Sequence, residues 1–166
     1  MNLKIIGGSS NKEFTKKICE HLGIEETKST SFTFSNEDRF ITIDEPVRGD
    51  DVFVIQTHNS PVDANIIELL IYIRTLRDAS AGRITAVLPY FPYARSDKKD
   101  QPRICITAKL MADMLEKAGA DRVLIMEMHS PQLQGFFNIP CDHLIGSPDI
   151  VVYLKNNWDL ENYVLV

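Results

Sequence analysis

Residues 52–88, VFVIQTHNSPVDANIIELLIYIRTLRDASAGRITAVL, decide the fold. Residues 52–55 are a short run of β-branched and aromatic side chains, the composition of a strand buried on both faces. Pro61 and Asp63 suit the first turn of a helix, where a missing N–H costs nothing and a carboxylate meets the positive end of the helix dipole. That helix runs to about Asp78, with Ile66, Leu69, Leu70 and Ile73 facing inward. Residues 83–88 form the next buried strand. Strand, helix and strand in this order predict an α/β fold built on a mostly parallel sheet.

The same alternation extends in both directions. Upstream, residues 3–6 read as a buried strand closed by the Gly7-Gly8-Ser9-Ser10 turn. A helix over residues 11–22 then sets Phe14, Ile18 and Leu22 on one face and ends at Gly23. Residues 31–34 and 40–43 are β-rich and flank the polar stretch 35–39, a hairpin-like excursion. Downstream, residues 89–103 form a loop rich in proline and charge. A helix over about 107–118 stops at Gly119, with Met111, Met114 and Leu115 as core packing. Residues 122–126 make a fourth strand, 127–140 a loop, 147–156 a short helix, and 163–166 the start of a fifth strand. The expectation is a single domain over residues 1–166: an open, mostly parallel sheet with helices on both faces. Ligands of such sheets bind in the loops that follow the strands. A chain ending at Val166, inside a strand, therefore reads as cut; a terminal edge strand is the alternative.

Composition narrows the function classes. The chain has 18 Lys and Arg against 23 Asp and Glu, a net charge of −5, and its cations are scattered apart from Lys98 and Lys99. This argues against a nucleic-acid partner, which calls for a basic face. The amino-terminal apolar run is too short for a signal peptide and no later run spans a bilayer, so no membrane partner is expected. Cys19, Cys105 and Cys141 form no CxxC pair, which speaks against a disulfide framework or zinc site and fits a cytoplasmic protein.

Two segments carry the chemistry. After the third strand comes YFPYARSDKKD, residues 90–100. Its cations at a strand's carboxyl end could hold a polyphosphate, with Arg95 as a forked donor and Lys98 and Lys99 as point charges. A solvated surface turn is the plainer reading. After the fourth strand comes EMHSPQLQGFFNIPCD, residues 127–142. There Glu127, His129 and Asp142 are oxygen and nitrogen donors for Mg²⁺, directly or through water, unless His129 is simply structural. The Gly7-Gly8-Ser9-Ser10 turn could cup an anion, but a tight turn with Ser10 or Asn11 as N-cap is favoured. His21 and His58 are expected at the surface.

The stretch YFPYARSDKKDQPR, followed by ITAKLMADMLEKAGADRVLIMEMHSPQLQGFFNIPCDHL, resembles the signature region of ribose-phosphate diphosphokinases. The similarity continues through FSNED, VRGDDVFVIQT and IIELLIYIRTLRDASAGRITAVLP, and so covers essentially the whole chain. The resemblance implies a two-domain enzyme, each half of the phosphoribosyltransferase type, of which this is the amino-terminal, nucleotide-binding half. Such enzymes transfer the diphosphoryl group of ATP to ribose 5-phosphate, with Mg²⁺, giving AMP and phosphoribosyl pyrophosphate. By position it implies that Arg95 contacts the ATP phosphates and that Ser96, Asp97, Lys98, Lys99 and Asp100 line the nucleotide loop. His129 matches a metal and ATP contact with a catalytic role alongside Arg95. Glu127, Asn138 and Asp142 match further positions of the metal site. Phe34, Asn36, Glu37 and Asp38 match a loop that reaches the adenine pocket of a neighbouring subunit, which implies a homo-oligomer.

The chain also departs from the family pattern. Glu127 stands where Asp is usual, Asn138 where Asp is frequent, Ser96 where Gln is usual, Asp38 where Glu is usual and Pro46 where Ser is common. These departures keep open a non-catalytic relative that assembles with active subunits and regulates them, or a truncated product with vestigial ATP binding.

Overall fold

A computed structural model describes residues 1–159; the strand expected over 163–166 lies outside the described residues. Five strands form the main sheet: β1 (Leu3–Gly7), β4 (Asp51–Ile55), β5 (Arg83–Leu88), β6 (Arg122–Met126) and β7 (Cys141–Leu144), in the spatial order β1-β4-β5-β6-β7. All four pairings are parallel. β2 (Ser29–Thr33) and β3 (Arg39–Ile43) form a separate antiparallel hairpin. The helices are α1 (Lys12–Leu22), α2 (Val62–Asp78), α3 (Thr107–Ala118) and α4 (Ser147–Asn157).

Strand alternation sorts the core onto two faces. Ile6, Val52, Val54, Ile84, Ala86, Val123 and Ile125 point to the face covered by α2 and α3, where they meet Leu69, Ile73, Leu76, Met111, Ala112 and Leu115. On the other face Ile5 and Ile55 pack with Cys19 and Ile18 of α1. Helices on both faces of a parallel sheet are what the sequence predicts.

Three details differ from expectation. First, α1 turns Thr15 and Cys19 inward rather than Phe14 and Leu22, which stay well exposed. The cause is close approach: a Cβ on Gly7 would sit 2.7 Å from the Thr15 hydroxyl, so only small side chains fit where α1 crosses β1. Second, β7 falls where only loop was expected, because Cys-Asp-His-Leu lacks β-branched residues and pairs at the described edge of the sheet. Third, a 3₁₀ turn, Pro131–Phe136, folds the middle of the 127–140 segment back and buries Leu133 completely. No helix among the described residues is long and apolar enough to cross a membrane.

Candidate functional site

The carboxyl ends of β5 and β6, neighbours in the sheet, release the two segments singled out in the sequence. The first, residues 89–106, is pinned at its base by Phe91 and Ala94, each 2% exposed. Between them Tyr93 adopts φ 56°, a left-handed conformation uncommon for an aromatic residue. Its hydroxyl donates to Asp63 at the start of α2, at 2.6 Å. This kink buries Ala94 and leaves Arg95 exposed, and none of the ion pairs or side-chain hydrogen bonds among the described residues involves Arg95. Lys98, Lys99 and Asp100 are exposed and Asp97 half-buried.

Ser96 has a structural task that the sequence did not disclose. Its hydroxyl accepts from the Thr107 amide at 3.2 Å and donates to the Cys105 carbonyl at 3.2 Å, while its own carbonyl accepts from the Ala108 amide. The residue preceding α3 is Ile106, which has no side-chain acceptor for the helix's free N–H groups. Ser96 supplies one from across the loop and closes residues 97–105 into a ring on α3.

His58, expected at the surface, is 3% exposed. It is pressed among Ile66, Leu69, Leu88 and Pro92, and its Nδ1 lies 3.3 Å from the Tyr90 carbonyl. Donation to that carbonyl fixes the tautomer. Burial pulls its pKa down to about 4, against which the Tyr90 contact works only weakly, so the ring is neutral at ordinary pH. It props the start of the Arg95 loop. His21 is exposed, as predicted.

The second segment begins with Glu127, at φ 50°, which turns the chain out of β6. One Glu127 carboxylate oxygen accepts from the Gly146 amide at 2.5 Å. Met128 is buried and its amide donates to Nε2 of His143 on β7, at 3.1 Å. His129 is exposed beyond it. The structure does not gather the four expected metal-site residues. Asp142 sits in β7, where Arg122 binds both its carboxylate oxygens, at 2.5 and 2.6 Å. Those hydrogen bonds hold the Asp142 carboxyl below the usual carboxylate range despite some desolvation. The side chain therefore reaches back to the amino-terminal end of β6, whereas His129 follows its carboxyl end. Asn138 is drawn to the end of α3, its amide and side chain both donating to Glu116, at 2.6 and 3.0 Å. Among the described residues no three His, Cys, Asp or Glu side chains come together to hold a metal ion. β7, unforeseen in the sequence, carries Asp142 into the sheet.

The two segments are nonetheless one unit. The rings of Phe91 and Phe137 pack 5.5 Å apart, and Lys109 of α3 donates to the Phe136 carbonyl at 2.9 Å. The hairpin tip, residues 34–38, is tight: Glu37 takes φ 72°, and the Asn36 side chain bonds both the side chain and the amide of Asp38. The Gly7-Gly8-Ser9-Ser10 turn resolves toward the turn reading. Asn11 caps α1 by accepting from the Phe14 amide, and the Ser9 and Ser10 amides already point at the Glu68 carboxylate and the Gln56 side-chain carbonyl.

A family model described as the N-terminal domain of ribose phosphate pyrophosphokinase matches residues 3–119. The chain belongs to this family. It is 48% identical over 98% of its length to a ribose-phosphate pyrophosphokinase of Chlorobaculum tepidum, and 49% identical over 99% to one of Clostridium perfringens. It covers 50% and 52% of those proteins, so it spans about half the length of the curated relatives it matches. A crystal structure of phosphoribosylpyrophosphate synthetase from Mycobacterium smegmatis superposes with a TM-score of 0.92 at 40% identity, covering 95% of this chain and 53% of that one. The chain thus corresponds to the amino-terminal half of a ribose-phosphate pyrophosphokinase, and its α/β fold is that of the family.

Proposed function

We propose that this chain is the nucleotide-binding half of an enzyme that transfers the diphosphoryl group of ATP to ribose 5-phosphate. In that reaction the sugar's 1-hydroxyl oxygen bonds to the β-phosphorus and the bond from that phosphorus to the α–β bridging oxygen breaks. AMP leaves, and the hydroxyl proton passes to solvent. The observation that carries the reading is the juxtaposition of two family-matching segments at the carboxyl ends of adjacent parallel strands, with Arg95 exposed and free of ion pairs among the described residues at one and His129 exposed at the other. Arg95 would fork onto phosphate oxygens and offset charge as the phosphorus is attacked, with Lys98 and Lys99 adding positive potential.

Mg²⁺ fits this donor set only as a guest of the nucleotide. Mg²⁺ keeps most of its waters and binds substrate phosphates with one or two protein contacts. His129 and the second oxygen of Glu127 are the donors left for it, since Asp142 and Asn138 are engaged elsewhere. A cytoplasmic setting rests on the odd number and wide spacing of Cys19, Cys105 and Cys141 in the sequence.

The test is direct. Calorimetry should find Mg·ATP binding to the 166-residue chain, whereas AMP release dependent on ribose 5-phosphate should be absent, because no segment here matches the family's ribose-phosphate loop. Failure to bind ATP would sink the nucleotide-site reading. Sustained turnover would sink the half-site reading.

The hairpin supports a second expectation, self-association. Phe32, Phe34 and Phe40 form an exposed cluster with ring centroids 4.9–6.2 Å apart, an apolar patch on a projecting element. Sedimentation at micromolar concentration should show a dimer or larger species that Phe34→Ser weakens; a strict monomer would remove the shared adenine pocket. The rival reading, a non-catalytic regulatory relative, draws on Ser96. Its hydroxyl is committed to α3 and does not reproduce the contacts of the usual Gln. ATP binding without turnover in the full-length protein would favour that rival.

A further inference from the structure

We infer that Glu68, which touches no proposed ligand, is a positioning residue that latches the nucleotide hairpin to the sheet. The inference rests on the function proposed above. Glu68 lies on the inward face of α2 and is completely buried. A buried carboxylate persists only when donors surround it, and five do. The Ser9 hydroxyl lies at 2.5 Å and the Ser9 amide at 3.2 Å. The Gln56 side chain donates at 2.9 Å, the Ser31 hydroxyl at 3.1 Å, and Nη1 of Arg39 pairs at 3.0 Å.

These donors come from two bodies. Ser9 and Gln56 follow the carboxyl ends of β1 and β4, the edge of the sheet from which the Arg95 and His129 segments also leave. Ser31 and Arg39 belong to the hairpin, and Arg39 immediately follows the tip, residues 34–38. Among the described residues the hairpin pairs with no strand of the main sheet, and a two-stranded ribbon alone is marginal in water. Its other ties include the buried Ile41, Ile43 packed against the main core, a bond from Arg39 to the Ser9 hydroxyl at 3.3 Å and a Ser29–Tyr72 hydroxyl contact at 3.1 Å. Glu68 therefore sets the angle at which Phe34, Asn36 and Asp38 are presented. Arg39 is replaceable only by a cation of similar reach.

The experiment compares Arg39→Met, Arg39→Lys and the charge-free double variant Arg39→Met/Glu68→Gln with the unaltered chain. Two readouts are taken, amide hydrogen exchange and Mg·ATP calorimetry. In Arg39→Met, exchange across residues 29–43 should quicken at least about tenfold while β4, β5 and β6 stay unchanged, because the latch governs local opening rather than the global fold. Affinity for Mg·ATP should fall about tenfold, and Arg39→Lys should recover most of both losses. The double variant should keep the sheet folded yet retain the loose hairpin. Unchanged hairpin exchange, or equal acceleration across the whole sheet, would overturn the latch. A loosened hairpin with undiminished affinity would overturn the positioning role. Should the unaltered chain bind no ATP, the proposed function fails, and exchange alone then judges the latch.

Discussion

Arg95→Ala in the full-length protein should lower kcat/KM for ATP on the order of 10²-fold or more, the loss expected when a preorganised charge donor to a phosphoryl transition state is removed. Three observations set that expectation. Arg95 is exposed and carries no ion pair among the described residues, so its guanidinium is free for a ligand. The buried neighbours Phe91 and Ala94 hold its backbone still. The left-handed Tyr93, tied to Asp63, turns it outward. Removing the side chain should therefore leave the fold intact and affect chemistry alone. Lys at this position keeps the charge but not the fork, so Arg95→Lys should recover only a small part of the rate. His129→Ala should differ in kind: its defect should shrink as Mg²⁺ is raised, whereas that of Arg95→Ala should not. Steady-state ATP kinetics of the variants across Mg²⁺ concentrations separate the two roles. Near-normal kinetics for both would reduce the two segments to surface loops.

The parallel sheet was legible because its central strands are continuous apolar runs and its helices carry caps that local chemistry dictates. Gly23 and Gly119 take the positive φ that ends α1 and α3, at 67° and 120°. What stayed hidden depends on long-range partners. β7 exists because β6 offers an edge, not because Cys-Asp-His-Leu favours a strand. His58 reads as a polar residue after a strand, and only the docking of α2 and residues 89–92 buries it. Glu68 sits between Ile67 and Leu69 in a helix with an inward stripe, and its five donors lie at least twelve residues away in sequence, visible only once the chain is folded. Arg95 and His129 stand exposed in the two segments that the sequence singles out. The scattering of Asp142 and Asn138 is hidden in the sequence, since each answers to a partner, Arg122 or Glu116, that spacing does not reveal.

Phe91→Ala should be the most damaging single change to stability in the site, costing about 3–5 kcal/mol, the usual loss for deleting a buried aromatic ring. Phe91 is 2% exposed and tilts 59° against Phe137, so its removal opens a void under both functional segments at once. For a domain of this size each kcal/mol lowers the melting temperature by about 2–4 °C. A drop near 10 °C follows, readable by calorimetry or as a lower urea midpoint. Phe91→Leu keeps most of the buried volume and should recover more than half of the loss. The adjacent Tyr90 gives the internal control. It is 50% exposed, so Tyr90→Ala should change stability by no more than about 0.5 kcal/mol, the range for surface substitutions. Because the Phe91–Phe137 contact joins the Arg95 segment to the His129 segment, Phe91→Ala should also raise KM for ATP in the full-length protein at temperatures where it remains folded. A loss below about 1 kcal/mol would mean that the two segments are held independently. Arg95 and His129 would then owe their relative placement to the strands alone.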